Sequence, residues 1–384
     1  LNNAIQMYQK AIERDPRFAM AYVKLSMAHT EMIWQAYDIS EARYALAEEA
    51  IAMASEISPD LPEIHLARGV YYFRGLADYP RGLKELQIAS QELPSNTQVI
   101  LYIGTALRHI GMWEQAESEY KRAIELDPRD TPLLEALAVL LTNLHRYREA
   151  DSLCDCVLEL KPDDAHIYRW KIGLSLFQTG TTDEGRSILN EARERTGEDF
   201  PCQSWYLDVY DGRYESALTT LFQSKTWDCT WLTQYDWYVQ VGDCFRFLNE
   251  RDQATVYYDS ARILIEIEVS SAGVAMRSWN RACLAYVYAA LGRKADALRE
   301  GRLSVQEWPV SKDAFCGPIK HEWLAKTYTL LGEYDLAVEQ LEYLTSIPAG
   351  LLPLPFLKSA YFTPLRNHPR FQALIEKYEN EYGT

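Results

Sequence analysis

The sequence predicts an all-α fold: a right-handed α–α superhelix of about nine helix pairs, closed by a C-terminal capping segment. Three observations carry this. Pro94, Pro128 and Pro162 stand 34 residues apart. Each closes the same pattern: back from Pro128 lie Ala123, Tyr120, Ala116, Gly111 and Gly104, and back from Pro162 lie Val157, Cys154, Ala150, His145 and Ala138. Each unit also holds two apolar stretches of helical period, and neither can bury its apolar face alone.

The register runs through most of the chain. Residues 1–16, with Ala4, Tyr8, Ala11 and Pro16, reproduce the second helix of a repeat whose first helix is missing, so the chain reads as a piece of something longer. Residues 17–195 form an N-terminal stack. Its first full unit, near Leu25 and Ser26, carries an insertion around Met32–Arg43, read as a longer helix or extra turn, before Ala47, Ile51, Ala54 and Pro59 resume the pattern. Gly69, Gly82, Leu86, Ala89 and Pro94 mark the next unit, and Gly173, Gly180, Gly185, Leu189 and Ala192 mark the one after the regular pair. Residues 196–236 lose the closing proline, shorten their first helix and gain Trp205, Tyr206, Trp227 and Trp231. Residues 237–345 restore the rhythm as a C-terminal stack, marked by Gly242, Ala254 and Tyr258, then Ala285, Gly292 and Ala297, then Ala325, Gly332 and Ala337. Residues 346–384 are a Pro-rich segment and final helix, expected to cap the solenoid.

Gly or Ala eight residues into the first helix, Gly at the turn, Ala opening the second helix, an aromatic and Ala beyond it, then Pro: this resembles the tetratricopeptide repeat. The physical reason is plain in the residues. Small side chains at Gly104 and Ala116 let two helices cross closely, and proline ends the second helix because it cannot continue it. The tail Tyr361-Phe-Thr-Pro-Leu-Arg-Asn-His-Pro-Arg-Phe371, with Asp78-Tyr-Pro-Arg-Gly-Leu-Lys-Glu-Leu86 and Gly111-Met-Trp-Glu-Gln-Ala116, is similar to the C-terminal region of bacterial multidomain signalling proteins. In those proteins such an array follows a cyclase, winged-helix or Ser/Thr kinase domain. The resemblance implies a regulatory scaffold, with the effector domain of the same chain among its partners.

Composition narrows the function classes. Hydrophobic residues make up 48% and charged residues 24%, the balance of a folded chain. A net charge of −16 argues against a sequence-independent grip on nucleic acid and against an anionic membrane surface. The 7 cysteines are odd in number and scattered, which does not suit an extracellular disulfide framework. With no signal-peptide pattern and no N-glycosylation acceptor, a cytoplasmic location is expected.

The sequence offers no catalytic constellation. There is no Gly-rich phosphate loop, no His-Glu-x-x-His, no Cys-x-x-Cys and no Gly-x-Ser-x-Gly. Cys154 and Cys156 are two apart on a helix and point to different faces. No metal, cofactor or catalytic residue is expected, and the chain reads as a non-catalytic protein-protein interaction scaffold.

First helices of stacked pairs line the concave side, and their 3,4-spaced residues offset from the small packing positions face a partner. This places Lys24, Arg74, Arg108, His109, Asn143, Trp170, Lys171, Tyr206, Tyr210, Arg246, Trp279, Tyr286, Trp323 and Lys326 in a candidate groove. Its N-terminal part carries cations and its C-terminal part aromatics, the types that dominate interface energetics. The expected partner is a protein or peptide, with acidic groups meeting Arg74 and Arg108. A small-molecule pocket around the irregular aromatic repeat is the alternative. A carboxylate clamp for a peptide's C-terminus is not expected, because Met27 stands where an Asn is wanted after Lys24, and Leu66 and Ala67 offer no amide.

Overall fold

The computed structural model describes residues 1–224 and 234–382, so the expectations for Trp227 and Trp231 lie outside the described residues. Among the described residues every regular element is helical, and α2 to α19 form nine successive pairs. The chain divides into two compact units, Leu1–Leu140 and Leu141–Thr384.

The first unit opens with α1 (Asn2–Arg14) and continues with α2 (Ala19–Trp34) and α3 (Glu41–Ile57). Next come α4 (Pro62–Val70), prolonged by a π-helical turn at Tyr71–Gly75, and α5 (Tyr79–Glu92). Then follow α6 (Thr97–His109) and α7 (Trp113–Leu126), and the unit ends inside α8 (Thr131–Asn143). The second unit takes the last turn of α8 with α9 (Tyr147–Leu160), then α10 (Ala165–Thr179) and α11 (Asp183–Thr196), and α12 (Pro201–Tyr210) and α13 (Tyr214–Gln223). Its later pairs are α14 (Gln234–Phe247) with α15 (Arg251–Ser271), α16 (Val274–Ala290) with α17 (Lys294–Glu307), and α18 (Pro318–Leu331) with α19 (Tyr334–Thr345). Beyond them lie α20 (Leu354–Lys358), a 3-10 helix at Ala360–Leu365 and α21 (Pro369–Tyr382).

The helix ends follow from local chemistry. Asn96 accepts from the backbone N–H groups of Gln98 and Val99 at 3.1 and 3.2 Å, and Asp164 does the same for His166 and Ile167 at 3.0 and 3.3 Å. Each cap stands two residues after a period-setting proline, so Pro-x-Asn/Asp both stops one helix and starts the next. The turn inside a pair needs a left-handed residue. Glycine supplies it at Gly111 and Gly332, but His145 (φ 60°) and Asn249 (φ 64°) occupy the same place in other pairs.

Helices cross closely where the side chain is smallest. A Cβ on Gly104 would meet the Tyr120 ring at 2.6 Å, and one on Gly242 would meet the Tyr258 ring at 2.8 Å, the same pairing in two repeats. One register mark shifts. Counted from the cap Asp164, the equivalent of Gly104 is the buried Ile172, and a Cβ on Gly173 would meet nothing within 4 Å. The insertion after Met32 lengthens α2 to 16 residues, against 13 in α6, and adds a short loop capped by Ser40. In the irregular repeat α12 and α13 have 10 residues each.

The tail is more than a cap. Helix α21 lies against α19, tied by Arg370 to Glu342 at 3.0 Å and by His368 to Asp335 at 3.0 Å. The stretch before it is core: Leu352, Leu354, Phe356, Leu357, Phe362 and Leu365 are all buried, with Phe362 and Leu365 at 0% exposure.

Candidate functional site

The second unit concentrates the predicted aromatic residues, and residues 347–365 run through them. Helix α20 packs on the first helices α10 and α12, and the 3-10 helix packs on α18. Between these points Tyr361 reaches α14 and α16. The Ala349 N–H donates to the Asn143 carbonyl at the end of α8 at 2.9 Å. The chain's own C-terminal segment therefore lies along the face that the first helices of this unit present, with its side chains between theirs.

At the centre stands Asp243 of α14, 2% exposed. Its Oδ1 accepts from the Tyr258 hydroxyl at 2.6 Å and from the Tyr286 hydroxyl, and its Oδ2 accepts from the Tyr361 hydroxyl at 2.8 Å. Arg246, one turn on, donates to the Tyr258 and Tyr286 oxygens at 3.1 and 3.0 Å and stands 3.5 Å from Asp243. Burial, reinforced by Asp243, pushes the Tyr258, Tyr286 and Tyr361 phenols well above their ordinary range, so all three stay protonated donors. Burial works against the Arg246 charge, but Tyr286, Tyr258 and Asp243 hold it well above its ordinary value. A buried carboxylate is tolerated because its oxygens are hydrogen-bonded and a cation stands beside it.

Lys326 of α18 forms the second anchor. Its ammonium lies 4.6 Å from the Trp323 ring centre, 4.9 Å from that of Phe356 and 4.8 Å from that of Tyr361, with Glu322 at 2.7 Å. A cation held among ring faces at 8% exposure is attracted by each of them. Tyr210 faces Phe356 at 6.0 Å, and Phe247 meets Tyr361 edge-on at 5.1 Å.

The structure thus brings Asn143, Tyr210, Arg246, Tyr286, Trp323 and Lys326 together along one path, filled by the tail. Lys171 instead turns to α9, at 2.5 and 2.7 Å from Asp151 and Asp155. Trp170 and Tyr206 are partly buried, and neither the Trp170 indole N–H nor the Tyr206 hydroxyl finds a hydrogen-bond partner among the described residues. Trp279 is half-buried on α16, with no ring contact to the segment among the described residues.

In the first unit Arg74 pairs internally. Arg74 sits on the π-helical turn, ion-paired to Glu31, with its guanidinium 5.3 Å over Trp34 and 5.1 Å over Tyr102. The acidic group expected from a partner of Arg74 is thus supplied by α2. His109, 1% exposed, stacks on Tyr79 at 4.7 Å and meets Phe73 edge-on at 5.4 Å. Arg108 is 8% exposed, and Lys24 is half-buried on α2. Thr105, one turn before Arg108 and His109, turns to its own pair and hydrogen-bonds the Tyr120 hydroxyl at 3.0 Å.

Sequence reasoning missed Asp243, Phe356 and Tyr361. A signal for the tail existed: Leu351-Leu-Pro-Leu-Pro-Phe-Leu357 is far too apolar for a solvent-facing cap. Asp243 had only a weak one, an acid beside the packing residue Gly242.

No protein-family profile matches the chain, and no curated protein matches it in sequence. Solved structures do resemble it. A tetratricopeptide repeat protein from Parabacteroides merdae ATCC 43184 aligns at 18% identity and TM-score 0.47, over 61% of this chain and 91% of its own. YrrB, described as a TPR protein with an unusual peptide-binding site, aligns at 19% identity and TM-score 0.35, over 50% of this chain and 93% of its own. Human IFIT1, a dimer with m7Gppp-AAAA, aligns at 14% identity and TM-score 0.46, over 80% of this chain and 68% of its own. Among the described residues no helix is long and apolar enough to cross a membrane. Paired helices on a 34-residue period, crossing at small residues and parted by Pro-x-Asn/Asp caps, give this chain the all-α tetratricopeptide-repeat fold.

Proposed function

We propose that this chain is a non-catalytic protein-interaction scaffold, and that the groove of its second unit receives an extended peptide. The observation that carries the reading is the tail itself. A segment of two short helical turns, α20 and the 3-10 helix, joined to α19 by an irregular stretch, lies along α10, α12, α14, α16 and α18, held by two anchors, Asp243 and Lys326. A surface that accepts one such segment has the shape and chemistry to accept another: ring faces, a fixed cation, a fixed acceptor and a backbone carbonyl at Asn143. The peptide belongs to a separate protein or to an effector domain of the same polypeptide, as the resemblance to signalling proteins implies.

The test is selection of a random peptide library on the full chain and on a full chain carrying Phe356→Ala and Tyr361→Ala, which loosens the tail. Sequences enriched on the loosened chain should lose binding when Lys326→Glu is added. Failure to enrich any peptide on either chain, with both folded by circular dichroism, would reject the reading.

A further inference from the structure

We infer that residues 347–365 are a built-in pseudo-ligand, which occupies the groove until a partner peptide presenting a tyrosine to Asp243 and an aromatic ring to Lys326 replaces it. This rests on the peptide-groove reading above and names both the partner class and its control.

The segment is attached in a way that permits release. Among the described residues its backbone hydrogen bonds are local, apart from Ala349 N–H to the Asn143 carbonyl. Leaving the groove therefore breaks no helical hydrogen-bond ladder of α10 to α19, and what it gives up is the side-chain packing of residues 352–365 in the core of this unit. Asp243 also remains supported, since Tyr258, Tyr286 and Arg246 belong to the wall and not to the tail. The connection to α19 is a short hinge, Ser346-Ile-Pro-Ala-Gly350. In it Ala349 takes φ 61°, and Gly350 lies so near the Leu344 carbonyl that a Cβ would stand 1.8 Å from its oxygen.

The same geometry defines what can replace it. Asp243 Oδ1 is served by two phenols of the wall, but its Oδ2 takes its hydrogen bond from Tyr361. An incoming peptide with phenylalanine there leaves a buried carboxylate oxygen unpaired, while tyrosine satisfies it. Sites of this kind reject the analogue lacking the hydroxyl by about tenfold or more. The Lys326 ammonium asks for ring faces on the same peptide, as Phe356 provides five positions before Tyr361. Because the resident segment is tethered, its effective concentration is on the order of millimolar, so an untethered peptide binds the intact chain weakly.

The probe is a fluorescent synthetic peptide with this chain's own residues 348–365, and a second with phenylalanine at the Tyr361 position. Anisotropy is read on the full chain and on the full chain with Phe356→Ala and Tyr361→Ala. We expect the tyrosine peptide to bind the loosened chain at least tenfold tighter than the intact one, and at least tenfold tighter than the phenylalanine peptide does. Equal binding to both chains, or by both peptides, overturns the inference and leaves the peptide-groove reading standing. Binding to neither chain, with both folded, removes both. Hydrogen exchange on the unaltered chain covers the case in which the double variant unfolds. Amides of residues 354–365 should exchange ahead of those in α14 and α16, and exchange only together with them would make the segment permanent core and end the proposal.

Discussion

The Tyr361 hydroxyl donates to Asp243 Oδ2 at 2.8 Å across 118 positions of sequence, joining the tail to the middle of the second unit. Tyr361→Phe removes one donor and keeps the ring on Phe247 and Lys326, so it should cost about 1–3 kcal/mol from the unpaired oxygen alone. Asp243→Ala should cost more, about 3–5 kcal/mol, because it also leaves the half-buried Arg246 without its counter-ion. Urea unfolding of both variants checks the order, and an Asp243→Ala chain no less stable than Tyr361→Phe would show that the carboxylate does not organise this cluster.

Glycines in the first helices α6 and α10 should respond to alanine with opposite signs. A Cβ at Gly104 stands 2.6 Å from a Tyr120 ring whose hydroxyl is tied to Thr105, so the ring cannot move aside without losing that bond. Gly104→Ala should therefore cost about 1–3 kcal/mol by overpacking. Gly173 has open space around its Cβ direction and sits inside α10, so Gly173→Ala should add up to about 1 kcal/mol from helix propensity. Thermal melts of the two variants moving the same way would contradict this reading of the register.

The repeat was legible because it rests on short-range chemistry: a small residue where two helices cross, a cap two residues after a proline, a left-handed turn. Each of these is written within a few positions of the element it shapes, so Gly104 with Tyr120 and Pro162 with Asp164 can be read in a single sequence. The groove was half legible. Helical spacing brought Tyr210, Arg246, Tyr286, Trp323 and Lys326 to one face, yet periodicity says nothing about what covers that face. The cover comes from residues 347–365, which have no period, and Asp243 takes its meaning from Tyr361 on a segment far along the chain. Gly173 misled for a related reason: glycine marks a crossing only when its Cα direction points at the partner helix, and a one-residue slip turns it by about 100°.

Ala77 carries φ 50°, at the turn where several other pairs place glycine. An L-residue in this region pays roughly 1–2 kcal/mol relative to its preferred conformations, and glycine does not. Greater freedom in the unfolded chain returns part of this, so Ala77→Gly should stabilise the first unit by about 0.5–1 kcal/mol. A shift of the urea midpoint to higher concentration with an unchanged slope is the expected result, and a lower midpoint would show that the Ala77 methyl group is worth more in packing than the turn loses in strain.

His29 gives the first unit a defined acid sensitivity. Its ring is 1% exposed on α2, and its Nδ1 lies 2.7 Å from the Arg43 guanidinium. Burial, then the Arg43 charge, lower its pKa from 6.5 to about 4, with Asp38 opposing. The neutral ring accepts from Arg43, and protonation would set two cations against each other. The unfolded chain therefore binds this proton first, and stability rises with pH wherever it does so. The His29 contribution is complete above pH 6.5 and is lost as pH falls towards 4, amounting to at most about 3 kcal/mol. His29→Gln keeps a polar side chain of similar reach and removes the titration. The difference in unfolding free energy between the two chains should narrow or invert from pH 7 to pH 4. A difference that stays constant over that window would mean that His29 is protonated as readily in the fold as outside it.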